Sequence, residues 1–359
     1  MTQSVGLRMA AHGAGIDASM IKADPRTIRW LHLAAGACIY TAFAVYLYRP
    51  YLGEFTRWQY LLPFNSAAAA MGCFVLSRRW VCCLSGSLLA GAVFGFGPFV
   101  LGLARFHPTA GLLAASIAWL LLPASRYGRG RWPLAAVLCL LPAAVIVLFF
   151  QIGVHWRLFA MPISTQVRAE DLAALAAPLV MVRRTGSLLG FYHVPMAAVV
   201  LGLAMTLKAR RVGVLLVLVA GATLAGWHSV CGVSPTIWLV FPVLCCSVMG
   251  GEGLSGLILA GNKDQKWVLL VAAVEAAMAV AALLLAARYF QVLLGLGSGY
   301  ARLLVATARM FLMGAVATGF VFAVAAAGLR LAWLRTAVLG AALAVDIFVG
   351  AKFIVDSIL

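Results

Sequence analysis

The sequence predicts an all-α, polytopic membrane protein of about eleven transmembrane helices, and three observations carry that expectation. Of 359 residues, 64% are hydrophobic and only 10% are charged, against roughly 25% charged in soluble domains. The apolar residues form continuous runs, not the alternating segments of a membrane β-barrel. The Lys and Arg residues fall in short clusters between those runs, as topology determinants do. The formal net charge of +17 therefore reads as orientation signal. No dense basic patch interleaved with aromatics occurs, so a nucleic-acid partner is not expected.

The chain begins with a polar tail, 1–28, carrying Lys22, Asp24, Pro25 and Arg26 just before the first apolar run. It lacks the short apolar core and small-residue cleavage site of a signal peptide. The expected spans are roughly 29–48, 60–77, 81–103, 108–124, 132–152, 189–207, 212–229, 234–260, 266–287, 302–328 and 332–355. Together they make a single transmembrane domain over 29–359. The span over 234–260 is the most continuous, opening on Ser234-Pro235 and holding one carboxylate, Glu252, among glycines. Arg78, Arg79, Arg126, Arg129, Lys208, Arg210, Arg211 and Lys263 all fall on the side of the N-terminus. The positive-inside rule then places the N-terminus in the cytoplasm and the C-terminus outside. One connection is long: 153–188 is expected as an outer loop, with an amphipathic interfacial helix over 168–182.

Seven of the eight cysteines fall inside expected spans, where Cys serves as a small hydrophobe, and no CxxC is present. The glycines of GAVFGFGPF and MGGEGLSG lie in apolar helices with no preceding strand and no Lys-Ser/Thr after them. They are read as packing positions, not nucleotide loops.

Taken in order, YLLPFN, GCFVLSRRW, GSLLAGAVFGFGPF, RFHP and AWLLLPA, then LLGFYHVPMAAVVLGLAM, SPTIWLVFPVLCCSVMGGEGLSGL and WLRTAVLGAALAVDIFVG, resemble a known series. They are similar to the membrane core of YfhO-type bacterial proteins, over about residues 50–355. The resemblance implies a GT-C glycosyltransferase-like fold in the bacterial inner membrane. It also implies transfer of a sugar from a polyprenyl-phosphate carrier to a cell-envelope acceptor. Two departures stand against catalysis. The first outer loop is only about 49–59, with a single carboxylate, Glu54, where the family has a long loop supplying its acid. The soluble outer domain of the larger relatives does not follow the last helix.

On that reading Glu54 is the candidate catalytic base, because it follows the first span as the family's acid does. The outer arginines Arg105, Arg157, Arg183 and Arg184 are candidates for the lipid phosphate, which a guanidinium binds bidentately; interfacial anchoring would use them equally well. Four histidines, His107, His155, His193 and His228, fall at outer span ends. Convergence there could bind a metal or a diphosphate, but their spacing is irregular and no HxxxH occurs, so no motif supports a metal and no cofactor is expected. Glu252, Glu275, Arg309 and Asp346 are charged groups within spans. Such charges are costly and paired, and Arg309 is expected to pair with Glu275 or Glu252. Three function classes remain open from sequence: a GT-C-like transferase, a catalytically degenerate relative that binds lipid or scaffolds other membrane subunits, and a transporter or flippase built on the intramembrane charges.

Overall fold

The computed structural model describes residues 25–81, 83–103, 108–126, 132–156, 192–209, 211–227, 229–260, 264–292, 298–329 and 331–359. Among them the backbone is helical almost throughout, and the only extended pairing is an isolated bridge between Val230 and Val233. In chain order the helices are α1 (Pro25–Tyr48), α2 (Leu61–Ser77), α3 (Leu84–Gly95), α4 (Pro98–Leu103), α5 (Pro108–Leu120), α6 (Leu122–Arg126) and α7 (Trp132–His155). There follow α8 (His193–Lys208), α9 (Val212–Gly226), α10 (Pro235–Trp238), α11 (Val240–Leu259), α12 (Gln265–Val292), α13 (Ser298–Ala326) and α14 (Ala332–Ile358).

Among the described residues, eight helical stretches are long and apolar enough to cross a membrane: α1, α3–α4, α5–α6, α7, α10–α11, α12, α13 and α14. The three other expected spans are occupied by α2, α8 and α9, of 17, 16 and 15 residues. At 1.5 Å per residue these reach less than the ~30 Å of a hydrocarbon core. Three of the expected spans are each divided in two, and a proline explains every break. A helical proline lacks the N–H for its i−4 partner and clashes with that carbonyl. The chain accommodates Pro98, Pro123 and Pro242 by restarting, so that each falls in the first turn of its new segment, α4, α6 and α11.

The hub is α11. Sixteen of its twenty residues are buried, and it packs against α8, α3 and α9. Glycines set how close its neighbours come, as is usual where helices pack without a hydrophobic driving force. Gly202 of α8 lies against the Met249 carbonyl, and Gly253 of α11 lies against the Ala198 carbonyl. On the other side, a Cβ on Gly251 would meet the Ala90 Cβ at 2.7 Å. The peripheral helices present apolar faces outward: Val137 and Leu140 on α7, Leu216 and Val219 on α9, Leu283 and Leu284 on α12. These are the faces a bilayer covers.

Two arginines tie helix ends together. Arg211, before α9, donates to Glu252 of α11 at 2.6 Å and to the Trp80 carbonyl at 3.4 Å. Arg335 of α14 donates to the Ala260 carbonyl at 2.5 Å and to the Leu329 carbonyl at 2.9 Å, which satisfies carbonyls left over where helices end.

The α8–α11 contact makes a test. Gly202→Val puts a branched side chain onto the Met249 backbone and is expected to destabilise the bundle by at least about 1–3 kcal/mol, the usual cost of overpacking. Thermal unfolding in detergent checks it, and an unchanged midpoint would remove this contact from the packing account.

Candidate functional site

The site begins with a helix that starts inside the bundle. The first N–H groups of any α-helix lack intrahelical acceptors, and an apolar interior supplies no water to replace them. Tyr192 is the N-cap residue of α8 and gives no side-chain cap. Met196 N–H reaches the Tyr192 carbonyl at 3.3 Å, and Pro195 has no N–H to satisfy. The N–H of Val194 is satisfied from another helix: it donates to Oδ2 of Asp346, on α14, at 2.9 Å. The other oxygen of Asp346 lies 2.7 Å from Nδ1 of His193. Both side chains are 1% exposed. A carboxylate here also faces the positive end of the α8 dipole.

One turn beyond Asp346, Gly350 leaves room for the Tyr192 ring; a Cβ there would lie 2.7 Å from Tyr192 Cδ1. The Tyr192 hydroxyl donates to the Phe96 carbonyl, at the break between α3 and α4.

Helix α13 closes the other side. Phe311 meets the His193 ring edge-on, with centroids 4.8 Å apart and planes at 85°. Three residues on, Gly314 faces both Val194 and Glu275 of α12: a Cβ would lie 3.1 Å from Val194 Cγ2 and 2.9 Å from Glu275 Oε1. Thr318 donates to Glu275 Oε2 at 2.9 Å. Glu275 is 1% exposed. Thus α8, α12, α13 and α14 each contribute to one buried polar centre of His193, Glu275, Thr318 and Asp346.

Its hydrogen-bonding capacity is not used up. Among the described residues, His193 Nε2, Glu275 Oε1 and Thr307 Oγ1 are buried without partners. Thr307 precedes Phe311 by four residues and so lies on the same face of α13. Buried polar atoms are nearly always paired, and these three lie along one face of α13. No group of three or more His, Cys, Asp and Glu among the described residues is placed to hold a metal ion.

The other expected site residues are scattered. Glu54 is exposed, in the loop after α1. That loop is tied to the end of α14, because the Tyr51 hydroxyl donates to Asp356 Oδ1 at 2.7 Å. His155 is exposed at the end of α7, beside Trp156. Arg105, His107, Arg157, Arg183, Arg184 and His228, with the expected interfacial helix, lie outside the described residues.

Two expectations are corrected. His193 does not open onto a free surface: Asp346 and Phe311 enclose the first residue of α8 within the bundle. Arg309 is exposed and is not the partner of Glu252 or Glu275. Glu252 is instead paired with Arg211 and accepts from Thr206 at 3.3 Å, while Glu275 accepts from Thr318. Arg335 is also buried, and it caps carbonyls. Its only sequence signal was an Arg one turn into an apolar run. Compared with known families, curated proteins and solved structures, the chain matches none.

Asp346→Ala leaves both Val194 N–H and His193 without their acceptor, and breaking a buried pair from one side costs about 3–5 kcal/mol. Asp346→Asn keeps a carbonyl oxygen and is expected to lose less. Thermal unfolding of the two variants checks the order; equal stability of Asp346→Ala and the unmodified protein would show that the pair does not hold α8.

Proposed function

We propose that this is a multi-pass membrane transport protein that binds and relays protons at the buried centre formed by His193, Asp346 and Glu275. It belongs, on this reading, in the bacterial cytoplasmic membrane, with its N-terminus inside. The observation that carries the proposal is the pair of open atoms, His193 Nε2 and Glu275 Oε1, in a centre whose other polar atoms are satisfied. Ionisable residues at this depth are expensive to keep and mark ion or proton pathways.

The chemistry follows from charge balance. Among the described residues, an ionised Glu275 has only the Thr318 hydroxyl to compensate it, which falls well short of what a buried charge needs. A proton on Glu275 removes that charge. When the proton passes to His193 Nε2, the imidazolium is balanced by Asp346 on Nδ1. Its loss from His193 restores the neutral ring. Asp346 therefore orients the imidazole and balances its charge, while Glu275 and His193 exchange the proton. Thr307 extends the polar face of α13 along the same helix.

Proton flux into proteoliposomes under an imposed pH gradient tests this. The protein is expected to pass protons faster than empty vesicles. Glu275→Gln, which keeps the Thr318 hydrogen bond, is expected to fall to the empty-vesicle rate with its unfolding temperature retained. Full flux in that variant, or none in the unmodified protein, overturns the proposal.

A second reading is a GT-C-like transferase using a polyprenyl-phosphate sugar, with Glu54 as base. Its support is the accessibility of Glu54 on a loop pinned by the Tyr51–Asp356 hydrogen bond. Since general-base catalysis contributes about 10²–10⁴-fold, Glu54→Gln should cut turnover of such a donor by at least about 100-fold. Unchanged turnover would remove Glu54 from that role.

A further inference from the structure

One interior hydroxyl differs from its neighbours. Three buried serines fold back on the carbonyl four residues earlier: Ser66 on Leu62 at 3.2 Å, Ser247 on Val243 at 2.8 Å and Ser255 on Gly251 at 2.9 Å. That local bond is a common resting place for a hydroxyl inside a helix. Thr206 and Thr318 reach carboxylates instead. Thr307 of α13 does neither: it is 0% exposed, and its Oγ1 is without a hydrogen-bond partner.

Its place on α13 is specific. Residues 307, 311, 314 and 318 share one face of the helix. Taken from the start of α13, that face carries Thr307, then Phe311 against the His193 ring, then Gly314 against Glu275 Oε1, then Thr318 bonded to Glu275 Oε2. Only residues 293–297 separate α12 from α13, so the two run antiparallel. Since Glu275 meets positions 314 and 318, Thr307 is level with positions 282 to 286 of α12. Both ends of that stretch are buried alanines, Ala282 and Ala286. In the other direction from Glu275, the buried residues include Val268 and Val271 on α12 and Val321 and Val324 on α13. Branched side chains thus border the centre toward the start of α12, and small ones with an unused hydroxyl border it toward the start of α13.

We infer that Thr307 holds water between the start of α13 and His193, and that this water is the outer arm of the proton path. Water suits a buried hydroxyl beside alanines, because it can both donate to the oxygen and accept from it, and it brings no charge. A proton entering from outside is handed along the chain. The Thr307 hydroxyl receives one proton from the first water as it gives its own to the next, so it ends as it began. His193 Nε2 takes the proton that arrives. Thr307 is therefore a positioning residue: it fixes where the water stands. The start of α13 is the outer end on the orientation proposed above. The part in proton passage rests on the proton-relay reading, and the presence of water does not.

Hydrogen–deuterium exchange at the imidazole C2–H, read by mass spectrometry of the full-length protein, reports how well solvent reaches each histidine. His193 is expected to exchange measurably despite its burial. Thr307→Val keeps the branched shape and removes the hydroxyl. It is expected to slow exchange at His193 about tenfold, the cost of one ordinary hydrogen bond, and to leave the exposed His155 unchanged. Thr307→Ser, which keeps the hydroxyl, is expected to keep the exchange. The unfolding temperature of Thr307→Val should not fall, because no hydrogen bond within the protein is lost. No exchange at His193 in the unmodified protein, undiminished exchange in Thr307→Val, an equal loss in Thr307→Ser, or a lowered unfolding temperature in Thr307→Val overturns the inference. Proton flux into proteoliposomes, expected to fall with the exchange in Thr307→Val, separates it from the relay reading. Slowed exchange with full flux in that variant removes Thr307 from the proton path and leaves the relay. Slowed exchange with no flux in the unmodified protein removes the relay and leaves the water.

Discussion

Helix ends that have no water nearby set the terms for this molecule. Side chains in an apolar layer can be made apolar, but the free N–H and C=O groups where a helix begins or ends cannot. Here α8 begins among packed side chains and α11 ends beside them. The first has its amide held by Asp346, and the carbonyl that follows the second is held by Arg335. Both residues lie on α14, and each is almost fully buried. The two ionised groups are tolerated because each replaces hydrogen bonds that would otherwise be missing, and an unmade buried hydrogen bond costs about 1–3 kcal/mol.

The same constraint shapes the packing. Because α11 is enclosed on all sides, its neighbours must approach its backbone, and Gly202, Gly251 and Gly253 permit that. The proline breaks at Pro98, Pro123 and Pro242 free carbonyls that then need donors, and one of them, Phe96, is taken by the Tyr192 hydroxyl. That bond fixes the residue next to His193. The buried centre therefore owes its geometry to a break in one helix and a cap on another.

Much of this was legible in the sequence. The apolar runs locate all the helical stretches, and Glu252, Glu275 and Asp346 stand out because carboxylates are rare in such runs. The split of three spans was also written there, in prolines that periodicity alone does not register. The pairings were not legible. His193 and Asp346 are 153 residues apart, and a sequence read span by span places one at an outer end and the other in a helix middle. They meet only because α8 and α14 pack side by side in the bundle, and no local pattern reports that packing. Arg309 misled for the converse reason: it lies in an apolar run but on the exposed face of α13. Thr318, the partner of Glu275, has no charge to draw attention.

The dependence of two helix ends on α14 has a consequence for how the protein is made. Translation proceeds at ~5–20 residues per second. Asp346 emerges 153 residues after His193, so roughly 8–30 s pass between synthesis of the helix start and synthesis of its cap. Arg335 follows Ala260 by 75 residues. During that interval the amide of Val194 and the carbonyl of Ala260 must be kept company by water, lipid headgroups or the insertion machinery. The bundle thus has an order of completion set by the chain itself: the helix start at Val194 and the carbonyl of Ala260 gain their final partners only once α14 has been made.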